Sequence, residues 1–169
     1  VDDRREVAEV GRLKGDLRMV RFVARAARTR QRALRHDLRV GYGLQWLRLL
    51  TSESQQIVDE ARRRYRTHNA ARKFVEAEFF TVLAASGRGD LESEAVQERL
   101  GREMVIREAL EWMWPVLTPA QLLNDLFGSQ ALIRAADSSL TPDQVGALHR
   151  ERVAEPDDLL WTASDAPLL

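Results

Sequence analysis

Apolar residues recur along most of this chain at intervals of three and four, the spacing of helices that bury one face. The first such stretch covers about Asp3 to Leu13 and stops at Lys14-Gly15. Asp16 is placed to cap a longer helix, Leu17 to about Leu34, on which Leu17, Val20, Val23, Ala24 and Ala27 form an apolar stripe. After His36-Asp37 the period changes. "LRVGYG" and "LQWLRLL" predict a short β-hairpin near 38–50 that turns Leu38, Val40, Trp46 and Leu49 toward packing surfaces. Ser52, with Gln55 three residues on, predicts the start of a helix through "SQQIVDEARRRY". "NAARKFVEAEFFTVLAA" is a core helix carrying Phe74, Val75, Phe79, Phe80 and Val82, and it ends before Gly87 and Gly89.

Further helices are predicted near Leu91 to Leu100 and from about Arg102 to Trp114, where Pro115 ends the second. "TPAQ" at Thr118 and "TPDQ" at Thr141 repeat one start signal: threonine as N-cap, proline at the first helical position, glutamine reaching back from the third. The fold class is therefore mainly α, a multi-helix domain with one short β-hairpin. Two short helices follow from these signals; polar connectors lie between and after them, notably "HRERVAEPDDLL", and the sequence ends at "WTASDAPLL", with Ser164 and Asp165 in helix-start positions. Ending where a helix would begin, the chain is expected to be a piece excised from a larger protein.

Composition sharpens this picture in three ways. With no cysteine among the 169 residues there is neither a disulfide framework nor a thiolate metal site, which fits a cytoplasmic location. No stretch reaches the ~18 apolar residues of a membrane span, and Val1-Asp2-Asp3-Arg4-Arg5 is not a signal peptide. The formal net charge of zero hides a division: residues 1–73 hold 19 Lys and Arg against 9 Asp and Glu, and the remainder 7 against 17. Such asymmetry means either two faces for two partners or one half neutralised against the other.

Catalytic motifs are missing. No phosphate-binding G-x-x-x-x-G-K-[ST] is present, neither Lys14 nor Lys73 has the required spacing, and G-x-G-x-x-G and G-x-S-x-G are absent as well. "GYG" at Gly41 belongs to a turn. His36, His68 and His149 are far apart in sequence; His68 is placed to help begin the helix after Thr67, and the other two are surface residues. Glu76 and Glu78 point to different helix faces, while Glu92 and Glu94 lie in a polar stretch, so neither pair forms an acid–base couple. No enzyme site, cofactor site or metal site is expected within this chain.

Two charged features stand out instead. Arg18, Arg21, Arg25, Arg28, Arg32 and Arg35 recur every three or four residues along the second predicted helix, a basic ridge that is either a solvated face or a phosphate-binding surface for DNA or another polyanion. Glu155, Asp157 and Asp158 surround Pro156 and make an acidic connector, either an ordinary solvated loop or a tip able to meet a cationic channel or a bound magnesium ion. Trp112, Trp114, Phe79 and Phe80 lack interleaved basic residues and read as core, not as a base-stacking platform.

The segments "RLKGDLRMVRFVARAARTRQR", "HNAARKFVE", "LGREM", "WPVLTPAQLLNDLFGSQAL" and "WTASDAPLL", in this order from Arg12 to Leu169, resemble the HelD proteins, RNA-polymerase-associated relatives of UvrD-like superfamily 1 helicases. What the resemblance implies is a place between the nucleotide-binding loop and the acidic magnesium motif of the first RecA-like lobe of an α/β parent. Residues 1–127 would be a family-specific helical insertion, and 128–169 a connector, acidic loop and return toward the lobe. It further implies a parent that hydrolyses ATP with magnesium, and an insertion that binds the RNA polymerase core in its DNA-binding channel, helping to clear nucleic acid and recycle the enzyme. Some relatives also dislodge rifamycins. Glu155, Asp157 and Asp158 stand about where that family has a loop approaching the polymerase active site. The "ASGRGDLESEA" region is shorter than the family pattern.

Overall fold

The computed structural model describes residues 17–154, with side chains described from Arg21 onward. Within that range the chain forms eight helices and one hairpin: α1 (Leu17–Arg28), β1 (Leu38–Tyr42), β2 (Gln45–Leu49), α2 (Thr51–Arg64), α3 (His68–Ala85), α4 (Ser93–Leu100), α5 (Met104–Met113), α6 (Pro119–Phe127), α7 (Gln130–Ala136) and α8 (Pro142–Leu148). The mainly helical fold with a single two-stranded antiparallel sheet is as the periodicity predicts. The helix expected over Asp3–Leu13, the Asp16 cap and the features at Ser164 and Asp165 lie outside the described residues. No described helix is long and apolar enough to cross a membrane.

The chain divides into two compact units. Residues 30–116 form one; α1 with residues 117 onward forms the other. Compactness thus places its breaks after Thr29 and Val116, where the family resemblance draws one after residue 127.

In the 30–116 unit the hairpin, α2, α3, α4 and α5 enclose a core led by Leu47, Val58, Val75, Phe79, Phe80, Leu83, Ile106, Met113 and Trp114. Phe79 and Phe80 meet edge to face, with centroids 5.5 Å apart. The strands pair with Tyr42 opposite Gln45 across the two-residue loop Gly43-Leu44. Gly43 has φ +59°, as the first central residue of a type II′ turn requires, a conformation in which an L side chain crowds the backbone. This register overturns one expectation: Trp46 lies on the outer face, 64% exposed, and Leu47 takes the core position instead. A strand's period of two puts 38, 40, 47 and 49 inside, and Trp46 is odd by one. Gly87 lets the end of α3 approach β2, since a Cβ there would sit 2.7 Å from Leu47 Cδ2 and 2.5 Å from Leu91 Cδ1.

The start of α2 also differs from the sequence reading. Its N-cap is Leu50, whose N–H donates to the Glu53 carboxylate at 2.7 Å, so the Ser52–Gln55 pair is not the start signal. Leucine has no acceptor to return. Asp37 compensates from the other side of the hairpin: its Oδ1 accepts from the Thr51 N–H at 2.7 Å and from the Thr51 hydroxyl at 3.0 Å. These bonds hold the Asp37 carboxyl below its ordinary pKa, with Arg48 and His36 adding smaller pulls.

The second unit is built on α6 and α7. Phe22, Ala26 and Ala27 of α1 pack with Leu123, Phe127, Ile133 and Ala136, and the Phe22 and Phe127 rings stack at 6.4 Å. The expected α1 stripe is shifted by this packing, because Ala24 is exposed whereas Phe22 and Ala26 are buried. Both threonine caps form as predicted: Thr118 Oγ1 accepts from Gln121 N–H and Thr141 Oγ1 from Gln144 N–H, with each glutamine side chain accepting from the threonine N–H in return. Residues 149–153 return along α6. Asn124, nearly fully buried, clasps Val153 through Nδ2–H to the carbonyl at 2.8 Å and Oδ1 from the N–H at 3.1 Å. Arg150 N–H donates to the Phe127 carbonyl, and Arg152 pairs with Asp125.

Candidate binding surfaces

The predicted basic ridge does not survive as one row. Helix α1 ends at Arg28, six residues before the expected end, and the cause is local. Thr29 closes the last turn with its N–H on the Ala26 carbonyl at 3.1 Å, and its hydroxyl takes the same oxygen at 2.6 Å. That is the acceptor Arg30 would need to continue the helix. Arg18, Arg21, Arg25 and Arg28 stay on α1; of these, the Arg18 side chain is outside the description, and Arg21, Arg25 and Arg28 are exposed. Arg25 also donates to the Ala136 carbonyl at 3.2 Å, which ties it to α7. Arg32 and Arg35 belong to the other unit.

There they meet Trp112. The guanidinium carbons of Arg32 and Arg35 lie 3.5 and 3.7 Å from the centre of its indole ring. Two such groups cannot share one face at that range, so they take opposite faces of the ring, a cation–π sandwich. The backbone locks it. Arg32 N–H donates to the Met113 carbonyl at 3.0 Å, Arg32 Nε–H to the Trp112 carbonyl at 3.1 Å, and Trp112 Nε1–H to the Ala33 carbonyl at 2.9 Å. Leu34 N–H then reaches Ser54 Oγ at 2.9 Å. Partial burial, followed by the charges of Arg30 and Arg35, lowers the Arg32 pKa from its ordinary value. An arginine so placed remains a cation, so the segment concentrates positive charge. Trp112 is half-buried and packs against the core of its unit, as its sequence context predicts, but nothing near it in sequence signals the arginines about 80 residues away that sandwich it.

Behind this segment runs a directed chain of hydrogen bonds. Arg62 Nε–H donates to Gln31 Oε1 at 3.1 Å, and the Gln31 amide donates to His68 Nδ1 at 3.1 Å. His68 Nε2–H donates to the Pro115 carbonyl at 2.6 Å. Each neighbour fixes the next: the carbonyl of Pro115 can only accept and Arg62 can only donate, so Gln31 has one orientation and His68 is the neutral Nε2–H tautomer. The imidazole stacks on Trp114 with centroids 5.0 Å apart, while Trp114 Nε1–H donates to the His68 carbonyl at 2.8 Å. Desolvation lowers the His68 pKa, the Pro115 bond opposes it, and the Arg72 charge lowers it further. His68 does open α3, as expected, but its side chain is a structural joint. Of the other two histidines, His36 and His149 are exposed.

Charge mixes within the 30–116 unit, which contains 15 basic and 13 acidic residues. The basic stretch before Lys73 folds against the acidic one after it, as where Arg72 pairs with Glu111 at 3.0 Å and donates to the Leu110 and Trp114 carbonyls. Mutual neutralisation accounts for that part of the asymmetry. Glu155, Asp157 and Asp158 lie outside the described residues. Among the described residues, no group of three or more His, Asp or Glu side chains is placed to hold a metal ion. No protein-family model matches this chain, and no match is found among the curated proteins.

Proposed function

We propose that this chain is a protein-interaction module, the helical insertion of a HelD-like ATPase, and that it binds the RNA polymerase core in the cytoplasm. The order of the resembling segments from Arg12 to Leu169 carries this reading. Several of those segments are joints of the fold: "HNAARKFVE" supplies His68, Ala71, Arg72 and Val75, and "WPVLTPAQLLNDLFGSQAL" supplies Trp114, the Thr118 cap and the buried face of α6. A resemblance carried by such residues speaks for a shared architecture, and the exposed arginines supply charge for an anionic or acid-rich partner. The residues present do not fit a nucleotide, since no glycine-rich phosphate loop with its lysine exists here. In this reading ATP and magnesium belong to the parent, and the chain itself is not an enzyme.

The test is retention of purified bacterial RNA polymerase core by the immobilised chain at moderate and high salt, with and without duplex DNA as competitor. Retention that duplex DNA removes is the expected result and makes Glu155, Asp157 and Asp158 the next residues to change. Absence of retention at moderate salt overturns the proposal.

A second reading rests on Arg21, Arg25 and Arg28, which α1 keeps exposed at helical spacing: a nucleic-acid-binding helical domain contacting DNA phosphates. Of the original ridge, Arg18 remains on the same helix and Arg32 is excluded from it. Direct duplex binding that falls steeply with salt and collapses when Arg21, Arg25 and Arg28 become glutamine favours this reading. Polymerase retention that survives those changes favours the first.

A further inference from the structure

The outer face of the hairpin does nothing for the fold described so far. Its exposed positions are Arg39 and Gly41 on β1 and Trp46 and Arg48 on β2, and the register sets them as two cross-strand pairs, Arg39 opposite Arg48 and Gly41 opposite Trp46. Counting from the two-residue turn, both are non-hydrogen-bonded pairs, in which side chains lie closest. The outward Arg48 N–H agrees, donating to Ser86 Oγ at 2.8 Å instead of to β1. Two like charges directly opposite each other destabilise a hairpin, and Arg39 and Arg48 occupy that arrangement. The Arg48 charge is felt by the Asp37 carboxylate, whose Oδ1 accepts two bonds from Thr51.

Beside the arginines, the Trp46 indole lies toward the strand opposite. A Cβ on Gly41 would be 4.0 Å from its Cζ3, ordinary van der Waals contact, so the ring edge rests against the Gly41 backbone while most of the indole stays exposed. The Arg39 guanidinium carbon is 5.5 Å from the ring centre, on the diagonal between the pairs. Leu44 at the turn is fully exposed, so no side chain of this unit covers the tip.

We propose that this face binds single-stranded nucleic acid, one base stacked on the exposed indole of Trp46 and the flanking phosphates held by Arg39 and Arg48. A planar apolar ring left 64% exposed suits a base, and the guanidinium forks suit phosphate oxygens. An anion between the two arginines also relieves their repulsion. A base paired within a duplex offers no open face to the indole, so the strand must be single. The site is separate from the arginines of α1 and does not depend on the polymerase reading.

The test is anisotropy of a short fluorescein-labelled oligo-thymidine titrated with the full chain over a salt series. Trp46→Ala weakens binding roughly fivefold or more, the loss of one stacked base, whereas Trp46→Phe keeps most of it. Arg39→Gln and Arg48→Gln each lower the slope of log K against log salt by about 0.7, the single-strand value per phosphate. All three substituted positions are exposed, so unchanged far-ultraviolet circular dichroism serves as the fold control. Binding that Trp46→Ala leaves unaltered, binding lost only with the α1 arginines, displacement by polyglutamate as effective as by oligo-thymidine, or no binding at all would each overturn the proposal. Polymerase retention is measured without oligonucleotide, so its failure is told apart from failure here.

Discussion

Replacing Gln31 by glutamate should reverse the pH dependence of stability that His68 gives the 30–116 unit. In the native chain the Gln31 amide points a donor at His68 Nδ1, and Arg62 holds it that way. A proton on Nδ1 would face that donor, and burial and Arg72 also oppose it. The folded pKa therefore lies below the ordinary 6.5. The unfolded chain binds the proton more readily, so the contribution is fully present above pH 6.5 and is lost as the pH falls from there through the folded pKa. Each tenfold difference in proton affinity corresponds to about 1.4 kcal/mol.

Glutamate at position 31 is nearly the same shape, accepts from Arg62 as Gln31 does, and presents an acceptor to Nδ1–H. His68 then carries two protons, bonded to the carboxylate and to Pro115. Its folded pKa rises above 6.5, and the contribution is present below pH 6.5 and lost as the pH rises through the folded value. Gln31→Leu separates the hydrogen bond from the charge: it leaves Nδ1 part-buried without a partner and costs about 1–3 kcal/mol. The Arg62 guanidinium retains its bond to the Gln31 backbone carbonyl at 2.6 Å, so it adds little to that cost. Urea unfolding by circular dichroism between about pH 5.5 and 7.5 gives the slopes, and amide exchange along α3 assigns them to this unit. A Gln31→Glu variant with the same sign of slope as the native chain would refute the hydrogen-bond direction assigned here.

Three further outcomes follow from other parts of the structure. Asn124→Leu keeps the volume class but strands the Val153 N–H and carbonyl, and it should cost about 1–3 kcal/mol with faster amide exchange at Val153 and Arg150. Thr118→Ala and Thr141→Ala each remove a verified N-cap and should cost about 1 kcal/mol apiece by thermal unfolding, additive because the caps open different helices. Because the two Thr51 bonds hold its folded pKa below 3.8, Asp37 should stabilise the start of α2 at neutral pH and lose that effect only as the pH falls below that value. Asp37→Asn should flatten stability in that acid window, leaving the His68 window below pH 6.5 unchanged, as paired pH titrations of unfolding can check.

Much of the fold was legible in the sequence because its signals are short-range. A Thr-Pro-x-Gln cap closes its own hydrogen bonds within four residues, a Gly-x turn sets its own twist, and the period of apolar residues needs no partner to be read. Those features gave the helical class, the hairpin, the two threonine caps and the core helix with Phe79 and Phe80. The misreadings came where a particular side-chain contact, near or distant in sequence, outweighed the periodic pattern. The arginine spacing runs unbroken to Arg35, but the Thr29 hydroxyl ends α1 and Trp112 draws Arg32 and Arg35 away from the helix. Trp46 is apolar and β-forming, so only the register against Gly41 could place it outside. The network joining Gln31, His68 and Pro115 carries no signature, since a polar residue joins a buried network only once folding brings its donors and acceptors within about 3 Å. The sequence by itself determined most of the helical segments and the two Thr-Pro-x-Gln caps, but not the α2 cap, the end of α1 or the short helix α7. Tertiary structure alone decided which cations share an indole, which face of the hairpin is free, and which histidine tautomer is locked, because those choices depend on side-chain contacts between residues up to about 80 positions apart.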